Sequence, residues 1–502
     1  MTDEALDRDI FDQLFLKLAE IGPDGNTVSD HGFQPALAAR WEWLTPVTIA
    51  FHLDPRAHWT DGPRVSAADV AFTFAGYADS AVDSPYREGL SHIRSVQARD
   101  SATAVFTFDH PYPEMFFDAV YQMRILPKHV LDSIPRANWR STWFGRAPIG
   151  DGPYRLAHWT TGQSVELVAD STFYLGRPHL RRLIWRFTPD LSVAVTQVVA
   201  GDADAIQVLA TPDNIARAEA ANQLKLYPYP GSVYSLMTFN LRANGDRTRP
   251  HPILGDPVVR RALVLATDRT RMAENIFRGH ARVPPGPLSE MWKDLWFDDL
   301  PVPPFDTAQA DRMLESRGWI TGPDGIRVRN GTRLAIHLAV PSSSGMRKAY
   351  AQLIQEELSV VGVDVAIDQM EAATMQDRER SGHFDAAIES WNTDPSPTSN
   401  LADAWVTGGP GNFGGYSNPA FDRAVARARA AMSPDSSRAA WHDALTLLAT
   451  DAPAVMLAAL DNVAAVDGRV TNVSLRPDYW GGDLRHWEIP PARLTARDRA
   501  EQ

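Results

Sequence analysis

The stretch from Leu334 to Ile367 limits the possible folds more than any other part of this sequence. Leu334-Ala335-Ile336-His337-Leu338-Ala339-Val340 reads as a strand, Met346 to Val361 carries helical amphipathic spacing, and Gly362-Val363-Asp364-Val365-Ala366-Ile367 returns to strand character. A strand, a long helix and a second strand in that order predict a βαβ crossover and a parallel sheet. The fold class expected is α/β. Between the first strand and the helix, Pro341-Ser342-Ser343-Ser344-Gly345 lacks the leading glycine of a nucleophile elbow and reads as a strand-to-helix turn.

Other helix and strand signals follow along the chain, without an internal repeat. Helical spacing from about Leu6 to Leu18 stops at Gly22-Pro23-Asp24-Gly25-Asn26. Thr48 to Leu53 alternates as a half-buried strand, and Ser66 is placed to cap a helix running through Phe74. Val96–Phe108, Ser164–Val168 and Ile184–Phe187 have strand character, whereas Ser192–Val199, Val258–Ala266, Arg271–Phe277 and Ala308–Arg317 have helical spacing. With 502 residues the chain exceeds one ordinary core, so two or three globular units are expected.

Composition removes several classes of function. A net charge of −13 opposes a surface that tracks phosphates, so no nucleic-acid partner is expected. There are no cysteines, which excludes disulfides, thiolate metal sites and cysteine nucleophiles. Fourteen histidines are dispersed without an H-x-x-x-H pair, and Walker, dinucleotide and zinc-protease patterns are absent; no catalytic residue, metal or cofactor is expected. No apolar run reaches the ~18 residues that span a bilayer. The acidic start, Met1 to Ile10, has no basic and apolar secretory pattern, and the expectation is that a segment has been lost ahead of it.

Trp391 stands out among 15 tryptophans. It follows the apparent strand Phe384–Glu389 and precedes Asn392-Thr393-Asp394-Pro395, so an indole and a carboxylate emerge together where a strand ends. Ligands of open α/β sheets bind outside the carboxyl ends of strands, and a carboxylate beside an indole suits a cation with an apolar body. A capped turn before Pro395 explains Asp394 equally well.

Read in order, these segments resemble the peptide-type solute-binding proteins of bacterial ABC importers, the extracellular solute-binding protein family 5. Phe51 to Val70 matches its strand, W-x-D-G turn and A-x-D-V helix, after Leu37-Ala38-Ala39-Arg40-Trp41. Pro148–Tyr154, Gly201–Asp204, Phe239-Asn240, Val258–Leu263, Trp391–Asp394 and Asn412–Asp422 match further motifs in the family's order. Three departures stand out. No secretion or lipoprotein signal is present, Asp151 replaces a usual threonine, and Pro-Ser-Pro follows Asp394.

The resemblance implies a two-lobed periplasmic-binding-protein-like fold with an extra subdomain. Residues 1–34, 146–236 and 458–502 would form the first lobe, 35–145 the extra subdomain and 237–457 the second lobe. It implies capture of a peptide or related small solute between the lobes, delivery to the membrane permease of an ABC importer, an extracytoplasmic location and a monomer. It assigns Asp394 to the ligand's α-amino group and points to Trp391 and Asn392 beside it, with Asn412 and Tyr416 added from their proximity in sequence. Trp59, Asp61, Gly62 and Asp69 are expected to serve the turn. The alternatives are the same scaffold holding an oligosaccharide, opine or metal chelate, and a hydrolase with an unrecognised site.

Overall fold

A computed structural model describes residues 5–393, 395–398 and 400–500, and the chain divides into two compact units. The first comprises the chain up to Leu209 with Asp213–Tyr227 and everything from Ala464 onward; the second is Pro228–Val463 with Ala210–Pro212.

The first unit opens with helix α1 (Ala5–Leu14), whose Ile10 and Leu14 are buried. Strands β1 (Ala38–Thr45) and β2 (Thr48–Leu53) precede helix α2 (Ala67–Tyr77) and the hairpin β3 (Ile93–Ala98) and β4 (Thr103–Phe108). These strands form an antiparallel sheet in the order β1-β2-β4-β3. A second antiparallel sheet holds β5 (Tyr154–Thr160), β6 (Ser164–Ala169) and β7 (Arg182–Arg186). Residues 35–145, expected to form a subdomain, share one core with α1 and with β5 and β6: Phe51, Phe106 and Phe116 cluster with Ile10, Tyr154 and Leu167. The Phe51 ring lies 5.2 Å from Phe106 and 5.4 Å from Phe116, contacts that add roughly 0.5–1.5 kcal/mol each beyond area burial.

The family motifs of this unit carry folding chemistry. Trp59 is fully buried, and Gly62 takes a φ of +114°, open only to glycine at low cost. Asp69 accepts from the Ser66 amide at 2.8 Å to complete a capping box, and its other oxygen accepts from the Lys128 amide at 2.8 Å. The expected structural roles of Trp59, Gly62 and Asp69 are thus visible, and Asp61 faces His129 at 2.9 Å. Gly150 and Gly152 lie under the end of α1, where an added Cβ would stand 1.9 Å from the Leu14 carbonyl oxygen and 2.5 Å from that of Gln13. Between them, Asp151 accepts from the Leu16 amide at 2.8 Å, and burial pushes its carboxyl up to about 8.

The second unit begins within the long strand β8 (Leu224–Phe239). Helix α3 (Pro257–Leu265) follows, then the predicted crossover: β9 (Ala335–Pro341), α4 (Gly345–Val360) and β10 (Asp364–Met370). Strands β9 and β10 pair in parallel from Ala335 opposite Asp364 to Pro341 opposite Met370. Ser344 caps α4, accepting from the Arg347 amide at 3.3 Å, so the serine run is a turn and a cap. Helix α5 (Ala372–Ser381) leads into β11 (Ala386–Asn392), and helices α6 (Pro419–Ala430) and α7 (Pro434–Asp451) precede β12 (Ala454–Asp467). The main sheet runs β12-β8-β11-β9-β10.

Strand β11 lies between antiparallel β8 and parallel β9, which explains its opening run of buried Ala386, Ala387 and Ile388. It extends through Trp391 to Asn392, three residues beyond the segment Phe384–Glu389 that suggests a strand in the sequence. The limit of apolar residues is not the limit of hydrogen bonding, because Trp391 still pairs with Tyr234 and Asn392 with Val233.

Strands β8 and β12 each contribute residues to both units, and the divisions fall at 227/228 and 463/464. The sequence reading puts them at 236/237 and 457/458. Each boundary lies inside an unbroken strand, although Pro228, Pro230 and Gly231 follow directly after the first.

Candidate functional site

The carboxyl ends of β9, β10 and β11 all point the same way, because the three strands are parallel. At this edge the sheet meets the turn into α4, tied to β10 by the Ser342 amide donating to the Met370 carbonyl at 2.7 Å. Trp391 is half-buried here, its ring 6.0 Å from that of Phe413 at an angle of 35°. The loop bearing Phe413 crosses close over the indole because Gly411 has no side chain; a Cβ there would stand 3.1 Å from the ring. Asn392 ends the strand and is exposed.

Two residues before Trp391, on the same face of β11, Glu389 joins a cluster of two carboxyl groups and one guanidinium. Glu389 is buried on β11, and the Thr238 hydroxyl of β8 donates to it. Burial pushes its carboxyl up, opposed by donors on Thr238 and Trp391 and by the Arg347 charge. Glu379, in the last turn of α5, is 5% exposed; burial and the negative charge of Glu389 push it up to about 8. Arg347, in the first turn of α4, is itself held below its ordinary value by burial, with both glutamates opposing the shift. Its Nε donates to the Ser390 hydroxyl at 3.3 Å, and that oxygen lies 2.9 Å from the Ser235 hydroxyl.

Burial thus favours a proton on Glu379 near neutral pH and raises Glu389 in the same direction. Two fully ionised carboxylates facing a single guanidinium would leave a buried charge uncompensated.

The segment after β11 is anchored on both sides of Asp394. Thr393 donates its amide at 2.9 Å and its hydroxyl at 2.7 Å to the Ser232 carbonyl, and the Pro395 carbonyl accepts from the Trp292 indole at 3.2 Å. Asp394 itself lies outside the described residues. The expectation that Asn412 and Tyr416 present polar groups to a ligand meets side chains that are buried and already engaged. Asn412 donates to the carbonyls of Val406 and Tyr416 at 2.9 and 2.8 Å and accepts from the Tyr416 amide at 2.9 Å. The Tyr416 hydroxyl donates to Asp451 at 2.8 Å. Asn418 holds the same Asp451 carboxylate at 2.7 Å and caps α6 through the Ala420 amide. This motif therefore closes a loop and fixes a helix start.

The V-R-x-A-L segment behaves likewise. Buried Arg260 donates to the carbonyls of Leu254, Asp451 and Ala452 at 2.9, 2.7 and 3.0 Å, which satisfies the carboxyl end of α7.

The sequence reading did not single out Arg347, Glu379 or Phe413 as site residues. Glu389 carried the one available signal, a charged residue closing the otherwise apolar run Ala386-Ala387-Ile388.

Comparison with known proteins identifies the family. The model for bacterial extracellular solute-binding proteins, family 5 (middle region), matches residues 32–413. The chain belongs to this family. Protein XP55 of Streptomyces lividans is 28% identical over 460 residues, covering 89% of this chain and 82% of its own. A probable di/tripeptide-binding protein of Pseudomonas aeruginosa is 26% identical over 469 residues, covering 87% and 82%.

Two solved structures share the two-lobed fold. The oligopeptide-binding protein AppA of Bacillus subtilis, in complex with a nonapeptide, superposes with a TM-score of 0.71 at 23% identity, covering 97% of this chain and 95% of its own. NikZ of Campylobacter jejuni, in complex with Ni(L-His), gives 0.72 at 23% identity, covering 96% and 94%. Family 5 members are binding proteins, and this chain is a solute-binding component of an ABC importer. No helix among the described residues is long and apolar enough to cross a membrane.

Proposed function

We propose that the chain binds a peptide or peptide-like solute at the carboxyl edge of the β9–β11 sheet, outside the cytoplasm, and passes it unchanged to the permease. The observation that carries this reading is the Trp391–Phe413 aromatic pair with Trp391 next to the Glu389, Glu379 and Arg347 cluster. An indole face packs against the apolar body of a ligand, and nearby charges of both signs suit a zwitterion. Trp391, Asn392 and Asp394 form the ligand-facing set; Asp394 receives the α-ammonium on the strength of its place in the W-x-x-D motif. Asn412 and Tyr416 act through the loop that carries Phe413.

The curated relatives support a peptide as the solute, since one is described as a di/tripeptide-binding protein. A solute bound only by the folded state stabilises it by about 2.7 kcal/mol at 100 times Kd. Thermal-shift screening of a peptide library is therefore expected to find peptides that raise the melting temperature and emerge intact. A shift from a metal chelate or a sugar alone would move the reading to a non-peptide solute. Cleavage of the peptide would overturn the binding role.

A further inference from the structure

In the first unit, His92 directly precedes β3, and Asp109 and His110 directly follow β4. The antiparallel pairing sets Ile93 opposite Phe108, so the start of one strand and the end of the other lie side by side. The Asp109 amide donates to the His92 carbonyl at 3.0 Å and fixes the backbone there.

Both imidazoles turn toward the same carboxylate. His92 Nδ1 lies 3.2 Å from Asp109 Oδ2, and His110 Nδ1 lies 2.6 Å from Oδ1. A carboxylate can only accept, so each ring presents an N–H to it. The rings meet edge to face at 4.9 Å, and Tyr112 packs against them at 5.2 and 5.3 Å. Tyr112 is in turn held by its hydroxyl donating to half-buried Asp118 at 2.6 Å. Among the described residues, this is the one place where three metal-ligating side chains converge, with donor atoms within 4.8 Å of one another.

We propose that His92, Asp109 and His110 form a surface site for a late first-row divalent cation, a site separate from the one that binds the solute. Metal–nitrogen and metal–oxygen bonds of roughly 2.0–2.2 Å place the donors of one ion about 3–4 Å apart, and turning two exposed rings reaches that spacing. Two imidazoles with one carboxylate suit Cu²⁺, Ni²⁺ or Zn²⁺, and copper binds tightest by the general order of affinities. Calcium and magnesium, which take oxygen donors, fit poorly. On binding, each ring gives its Nδ1 lone pair to the metal and carries its proton on Nε2 instead, so a neutral imidazole loses no proton. Side-chain exposures of 50% for His92 and 54% for His110 leave the remaining coordination positions to water. The hairpin explains why the sequence shows no metal pattern, since seventeen positions separate His92 from Asp109.

The test is calorimetric titration of the whole chain with Cu²⁺ alone in a buffer that does not chelate it, beside electron paramagnetic resonance of the one-equivalent complex. The wild-type chain is expected to hold one Cu²⁺ with coupling to two imidazole nitrogens. His92→Ala and His110→Ala should each weaken that site at least tenfold, and Asp109→Asn should weaken it less. The double variant His92→Ala/His110→Ala should lose one equivalent of copper while its melting temperature and its thermal shifts with peptides stay unchanged. Equal stoichiometry and affinity in wild type and double variant would overturn the proposal, and the peptide arm keeps that outcome distinct from a failure of the solute reading.

Discussion

Two buried charge clusters, one in each unit, are built on opposite balances. In the first, Asp12 lies between Arg124 Nε at 2.5 Å and Lys17 Nζ at 3.4 Å, with side chains no more than 10% exposed. Burial pushes the Asp12 carboxyl up, but the two cations outweigh it and hold the group below its ordinary value. In the second, two carboxyls face a single guanidinium, and burial prevails: Glu379 rises to about 8. A carboxyl flanked by two cations, like Asp12, stays ionised at every physiological pH. A cluster short of one cation keeps a proton instead, and its charge responds to pH and to whatever binds beside it.

The largest expected effect breaks the compensated cluster. Arg124→Met leaves Asp12 with Lys17 alone and should cost about 3–5 kcal/mol in urea unfolding at pH 7, the range for removing one partner of a buried pair. Arg347→Met should cost less, because the glutamates can take up a further proton, and the cost should shrink as pH falls toward 5. Equal costs with no pH dependence would erase the distinction between the two clusters.

Glu379→Gln is the next largest. A folded-state value near 8 against 4.5 for the free group means that this carboxyl's contribution to stability is intact below pH 4.5 and is lost as pH rises through 8. Glutamine cannot ionise, so the variant should outlast the wild type at pH 9 by roughly 2–4 kcal/mol, the order set by a shift of this size. A wild-type profile as flat as the variant's would show that Glu379 is ionised throughout.

The smallest effect is at Asp151, which has one buried oxygen without a partner and a carboxyl pushed up to about 8. Asp151→Thr restores the residue common in the family and removes an acid that must stay protonated when buried. A gain of about 1–2 kcal/mol at pH 8, vanishing near pH 4, is expected from unfolding curves at the two pH values. The sign is the same as for Glu379, because both groups are raised.

Local chemistry made much of the fold readable in advance. Ser66 with Asp69 announces a helix start, and Leu334 to Ile367 announces a parallel crossover through its change of period. Trp391 was visible because a large ring is unusual where a strand meets a turn. The trio of Arg347, Glu379 and Glu389 was not, since it comes from the first turn of one helix, the last turn of another and a central strand. No spacing rule connects those positions. Asn412 and Tyr416 misled for the converse reason. Their polar groups look available in sequence but are taken up by the Tyr416 amide, the Val406 carbonyl and Asp451.

The central claim, that this chain holds a peptide by its α-ammonium beside Trp391, is tested most directly by a four-corner calorimetric cycle. The wild type and Asp394→Asn are each titrated with a peptide from the thermal-shift screen and with its N-acetylated form, and a melting curve checks the fold of each protein. Asp394→Asn should lose roughly 2–5 kcal/mol of affinity for the free peptide, as for other truncated buried charge pairs. Acetylation should weaken the wild type similarly and the variant hardly at all, because the shared interaction is already gone. Two losses that simply add would contradict the account and leave Asp394 as the cap of the turn before Pro395.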